Sequence, residues 1–172
     1  MHQCSVINRR FQGLAIASLL GLSLTAFGRD YTLNEVLGMP SEPDGVVIEI
    51  VTGDAAGLIW ALPRAKDYIK QLRARFPELP VAVVTHGREQ FALSRKNQMA
   101  SEAAHNNVRS LIEDSKVPVH VCATYAGWRG MTEEDFPDYV NVSASGPAQV
   151  NDYKAVGYLL IVIRGKNTDA LK

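Results

Sequence analysis

Short β-branched runs alternate with helical spacings along most of this chain. Residues 46–51, Val-Val-Ile-Glu-Ile-Val, predict a strand ending at Thr52-Gly53-Asp54. Apolar residues then recur at Leu58, Ile59, Leu62, Ala65, Ile69, Leu72 and Phe76, a spacing of three and four that marks one face of a helix. Pro63 interrupts the pattern and predicts a kink or a fresh start there, and Pro77 and Pro80 end it. Residues 81–84 form a second strand leading into Thr85-His86-Gly87. A short helix over 89–93, a loop over 94–99 and a helix over 101–114 follow, the last with Ala104, Val108, Leu111 and Ile112 facing inward and His105 facing solvent. Val119-His120-Val121 is the third strand, closed by Cys122. Residues 123–131, with Tyr125, Gly127, Trp128, Arg129 and Gly130, have loop composition. Thr132 caps a short acidic turn ending at Phe136-Pro137. A weaker fourth strand covers 139–142, and Ser145-Gly146-Pro147 opens a helix with Pro147 suited to its first position. The fifth strand, 158–163, is apolar throughout and so expected to be buried on both faces.

Five strands joined by helical crossovers predict an α/β domain with a mostly parallel sheet and helices on both faces. In such a sheet ligands bind outside the carboxyl ends of the strands. That rim carries Thr52, Gly53 and Asp54, then Thr85, His86 and Gly87, then Cys122, Ala123 and Thr124, then Ser143, Ser145 and Gly146. A histidine and a cysteine thus fall at equivalent strand ends.

The first 28 residues stand outside this pattern. Arg9-Arg10 precede an apolar run from Gly13 to Leu24, and Ala26 and Gly28 supply the small residues a signal peptidase reads. No acidic residue occurs before Asp30. The segment reads as a cleaved secretory signal peptide, with an uncleaved anchor as the alternative; the run is short for a span, which needs roughly 20 residues. The expected organisation is a signal peptide over 1–28, a loose polar lead-in over 29–44, one α/β domain over 45–165 and a tail over 166–172. Export implies a periplasmic or secreted protein.

Composition narrows the chemistry. With 47% hydrophobic and 21% charged residues among 172, the chain is globular and of single-domain size. Its 18 basic and 18 acidic residues form no block or stripe, so no nucleic-acid surface is expected. Loss of Arg9 and Arg10 with the leader leaves 16 basic residues against 18 acidic ones, a net charge of −2. Loss of Cys4 leaves Cys122 as the sole cysteine, so the exported domain has no internal disulfide.

Cys122 has two readings. Free cysteines are often buried and inert, and one at a strand end is also placed to act as a thiolate, more so if a helix amino end follows closely. His86 is available as a base or donor, Arg129 as an anion holder, and Gly87, Thr124, Ser145 and Gly146 as rim support. His120, inside a strand, is expected to be structural. One cysteine and scattered histidines do not make the three or four converging ligands of a metal site. No Gly-x-Gly-x-x-Gly, Walker or Gly-x-Ser-x-Gly pattern is present, so no nucleotide or other cofactor is expected.

Three stretches resemble the DsrE/DsrF-like proteins, particularly exported single-domain members. They are Val81-Ala82-Val83-Val84-Thr85-His86-Gly87; Pro118-Val119-His120-Val121-Cys122-Ala123-Thr124 with the following Met131-Thr132-Glu133-Glu134-Asp135; and Ser145-Gly146 leading to Gly157-Tyr158. Together they span roughly residues 45–164. The resemblance implies a three-layer α/β/α domain and a homo-oligomer, often a trimer or hexamer. It implies that Cys122 matches the family's cysteine, which accepts sulfane sulfur as a persulfide and passes it on. The partners implied are a sulfur donor or acceptor protein or a small thiol. The alternative is a binding module for a small ligand or protein, with Cys122 as packing.

Overall fold

The computed structural model describes residues 29–165; the segments expected to be a signal peptide, 1–28, and a tail, 166–172, lie outside the described residues. Strands β1 (Val46–Val51), β2 (Val81–Thr85), β3 (Val119–Cys122), β4 (Asn141–Ser143) and β5 (Leu159–Arg164) form one sheet in the order β4-β3-β2-β1-β5. Every pairing is parallel. The crossovers from β1 to β2 and from β2 to β3 step one way, and the last returns past them to the far side of β1. Right-handed crossovers therefore divide the helices between the two faces. Helices α1 (Leu33–Leu37), α2 (Leu58–Arg75) and α3 (Glu102–Glu113) cover one face. Helix α5 (Gly146–Ala155) lies across β1, β2, β3 and β5 on the other.

Strand alternation sorts the side chains. Val46, Ile48, Ile50, Val81, Val83, Val119 and Val121 join the larger core under α1–α3, while Val47, Val84 and Leu160 pack on Val150 of α5. Each such aliphatic side chain contributes about 1.5–3 kcal/mol on full burial. Because β1 is apolar on both faces, burial alone does not set its register. Glu49 does: a slip of one residue would drive its carboxylate from the α5 side into the α2 core.

Several expectations change. Residues 29–44 are not loose. Tyr31 N donates to Leu160 O at 2.7 Å, and Val36 of α1 is fully buried. A capping box holds α1: Glu35 N donates to Thr32 Oγ1, and Thr32 N donates to the Glu35 carboxylate at 2.7 Å. The Thr32 backbone and hydroxyl, together with Arg29, lower the Glu35 pKa to about 2. Helix α2 continues through Pro63 without restarting, capped by Gly57 and supported by six buried residues along its inner face. The expected loop over 94–99 contains a 3-10 turn, Arg95–Asn97. β4 begins at Asn141, two residues late, leaving Tyr139 outside the strand. β5 lies one residue later than expected and ends on Arg164, which pairs with Asp30; Leu160, Ile161 and Ile163 are buried, yet it is an edge strand whose outer side meets the Asp30–Tyr31 segment.

Candidate functional site

Residues 123–131 do not form a loop: a helix, α4 (Ala123–Gly127), starts immediately after β3. Its five residues are too few to show a helical period, which is why composition read as loop. Cys122 is its N-cap. The residue stays extended at φ −97° and ψ 112°, and Tyr125 N donates to Cys122 Sγ at 3.4 Å. N-caps are usually oxygen acceptors, so here a sulfur occupies the position where the helix presents its unpaired N–H groups. Cys122 is a free thiol, 4% exposed.

Its backbone is held from the side. β2 pairs with β3 only as far as Thr85 opposite Val121, so the next ladder position, at Cys122, has no strand partner on that side. The fully buried Gln90 fills it. Cys122 N donates to Gln90 Oε1 at 2.7 Å, and Gln90 Nε2 donates to Cys122 O at 3.3 Å. The preceding residue, Glu89, secures the two neighbouring strand ends. Its fully buried carboxylate receives Thr52 N and Thr52 Oγ1 at 3.0 Å each, Thr85 Oγ1 at 2.8 Å and Gly87 N at 2.7 Å. A Cβ on Gly87 would lie 2.4 Å from a Glu89 oxygen, so the close approach requires glycine. Two consecutive polar side chains on the 3-10 helix Arg88–Leu93 thus fasten the ends of β1, β2 and β3.

Past these ends lies an open cleft of about 430 Å³. Cys122, His86, Gly87, Thr124 and Ser145 line it, as expected for the rim. Arg88, Tyr125, Trp128, Pro147 and Gly53 line it too. Gly146 packs behind His86, where a Cβ would lie 2.3 Å from His86 Cβ. Arg129 does not line the cleft: its guanidinium sits 5.5 Å from the Phe91 ring centroid and 5.8 Å from that of Tyr125. The cation at the cleft is Arg88, which is exposed and makes no ion pair among the described residues. Tyr125 and Trp128 stack edge-on at 5.7 Å, and Trp128 is 76% exposed at the lip.

His86 Nε2 lies 2.7 Å from Glu49 Oε1, both side chains only 16% exposed. With Nε2 turned to Glu49, Nδ1 is the nitrogen left for chemistry. No direct hydrogen bond joins His86 to Cys122 among the described residues.

His120 is structural, as expected. Ser143 Oγ donates to Gln149 Oε1 at 2.9 Å, so it accepts from His120 Nδ1 at 2.9 Å. The other ring nitrogen, Nε2, then accepts from Tyr153 OH at 2.9 Å. Burial lowers the pKa of His120 and raises that of Tyr153, which keeps both neutral in this chain. His105 reverses its expectation. It is 1% exposed, with Nε2 donating to Ala92 O at 3.0 Å and Nδ1 accepting from Tyr139 OH. Burial lowers its pKa, against the opposing pull of the Ala92 carbonyl. Its position three residues before Val108 already put it on the apolar stripe of α3.

Among the described residues no three His, Cys, Asp or Glu side chains are grouped to hold a metal ion, and no helix is long and apolar enough to cross a membrane. No family model matches the chain, and no curated protein matches it. Solved structures do. A protein of unknown function, MTH1491 from Methanobacterium thermoautotrophicum, superposes with a TM-score of 0.53 at 18% identity, covering 69% of this chain and 97% of that chain. The fold is DsrE-like. The ychN protein from E. coli has a TM-score of 0.49 at 16% identity, covering 69% of this chain and 99% of that chain. At 18% identity the likeness to MTH1491 shows the fold alone and leaves the chemistry to the residues of the site.

Proposed function

We propose that the chain is an exported sulfur carrier of the DsrE/DsrF type, in which Cys122 accepts sulfane sulfur as a persulfide and hands it on. The observation that carries this reading is the position of Cys122, which lines an open cleft while its Sγ accepts the Tyr125 N–H at the start of α4. The thiolate is the nucleophile, and an N–H aimed at sulfur can donate to it as it attacks or leaves.

The transfer balances without an oxidant. Cys122 thiolate attacks the outer sulfur of a donor R–S–SH; a Cys122 S–S bond forms, the donor S–S bond breaks, and R–S⁻ leaves to take up a proton. An acceptor thiolate then attacks the outer sulfur and Cys122 thiolate leaves. Tyr125 N–H steadies that leaving thiolate, and Arg88 meets the anionic donor. The donor and acceptor are a partner protein or a small thiol. The assembly in this reading is a homo-oligomer, a trimer or hexamer, in the periplasm or outside the cell.

Intact-mass spectrometry of the protein after polysulfide treatment tests the proposal. The expected result is a gain of one sulfur atom that is lost on reduction and absent in Cys122→Ser. Burial of Cys122 to 4% exposure favours a second reading, a binding module in which the thiol only packs. An unmodified protein whose Cys122 nonetheless alkylates would overturn the carrier reading and leave the second.

A further inference from the structure

We propose that Gln90 is the positioning residue for Cys122: its side-chain amide, by replacing a missing strand, sets the point at which β3 becomes α4 and so keeps Sγ at the helix amino end. The inference rests on the reading of Cys122 as the reactive group.

In a parallel sheet each residue's N–H and C=O point to the same side, and here those of Cys122 point toward β2, which has already turned away. Cys122 O, as the N-cap carbonyl, also accepts the first N–H of α4, but among the described residues Cys122 N has Gln90 as its acceptor, and a buried N–H left without one no longer favours the extended conformation. Cys122 directly precedes α4, and a shift of its ψ from 112° into the helical range would extend α4 backward by one residue. The N-cap would then move to Val121, whose apolar side chain cannot cap, and Sγ would leave the Tyr125 N–H. Gln90 prevents this by giving Cys122 an acceptor at 2.7 Å and a donor at 3.3 Å, the pairing a continued β2 would have offered.

Glutamine suits the position for a further reason. Gln90 is fully buried, and its amide presents a donor and an acceptor side by side without charge. Its neighbour Glu89 faces donors only, where a carboxylate fits. The order Glu-Gln is therefore matched to what each strand end exposes, and the reverse order would fail at both sites.

The test is the alkylation rate of Cys122 by iodoacetamide in the full chain, which needs no sulfur donor. Gln90→Leu keeps the volume and removes both bonds; its rate at pH 7 falls about three- to fourfold relative to wild type, the loss of one hydrogen bond to the thiolate being partly offset by the greater nucleophilicity of a less acidic thiol. The deficit shrinks at high pH, where every thiol is ionised. Tyr139→Phe, which removes the buried bond to His105 elsewhere in the fold, serves as a control that lowers Tm but leaves the rate unchanged. Gln90→Glu decides the matter within a single folded protein. A protonated carboxyl can reproduce both bonds and an ionised one cannot, so its rate falls behind wild type only as the carboxyl at position 90, followed by NMR, ionises. Rates within twofold of wild type for Gln90→Leu at pH 7, or for Gln90→Glu once its carboxyl is ionised, overturn the proposal and leave Gln90 a packing residue. Failure of the protein to take up sulfur would refute the carrier reading without altering these rates.

Discussion

Glu89→Gln isolates the hydrogen bonding that holds the strand ends, because it changes neither the shape of the side chain nor the volume of the core. The Glu89 carboxylate faces donors only: Thr52 N and Oγ1 on one oxygen, Thr85 Oγ1 and Gly87 N on the other. An amide turned either way keeps one pair and opposes the other with its NH₂. A threonine hydroxyl can rotate to accept, whereas the opposing backbone N–H, from Thr52 or Gly87, cannot. The substitution therefore removes two bonds to a charged acceptor, each about 1.5–3 kcal/mol, and recovers part of one through the hydroxyl, for a net loss of about 2–5 kcal/mol. For a domain of this size that corresponds to a fall in Tm of about 6–20 °C. Thermal unfolding followed by circular dichroism, with urea unfolding to verify that the m-value is unchanged, measures it. A fall below about 3 °C at constant m would refute the claim that this carboxylate holds β1 and β2 together.

Two further expectations concern protonation. Glu35 titrates near 2 because Thr32 donates to its carboxylate, so Thr32→Val raises that midpoint toward the unfolded value of about 4.3 in an NMR titration. Since the folded pKa is depressed, the stabilisation is present above the unfolded value and lost as pH falls toward 2; an unmoved midpoint contradicts the capping account. Burial of His105 and His120 lowers their folded pKa values below the unfolded one of about 6.5, so the folded state binds fewer protons just below that pH and stability falls as pH drops through it. NMR of the imidazole rings should find both neutral at pH 6.5, and a charged ring at either position contradicts the hydrogen-bond directions assigned here.

The parts of the structure legible in the sequence are those with a local signal. Alternating β-branched runs located β1, β2 and β3, and Ser145-Gly146-Pro147 located the start of α5. Strand order then put His86, Gly87, Cys122, Thr124 and Ser145 on one cleft. The missing parts depend on contacts distant in sequence. Glu89 and Gln90 look like the solvent side of a short helix, and only strand ends 32 and 37 residues away make them interior. Helices α1 and α4, five residues each, are too short for periodicity to appear. The Thr32-x-x-Glu35 box was a readable signal for the first, as the apolar stripe of α3 was for burial of His105. The position of Arg129 off the cleft, its guanidinium near the rings of Phe91 and Tyr125, is invisible in a linear pattern.

The central claim is that Cys122 both takes up and releases sulfane sulfur. Cyanolysis of the polysulfide-treated, desalted protein tests it most directly, since cyanide attacks the outer sulfur of a persulfide, forming thiocyanate and returning the thiol. The expected yield is one thiocyanate per chain, none from Cys122→Ser, with the recovered Cys122 able to load again. No thiocyanate from wild-type protein whose Cys122 still alkylates would contradict it.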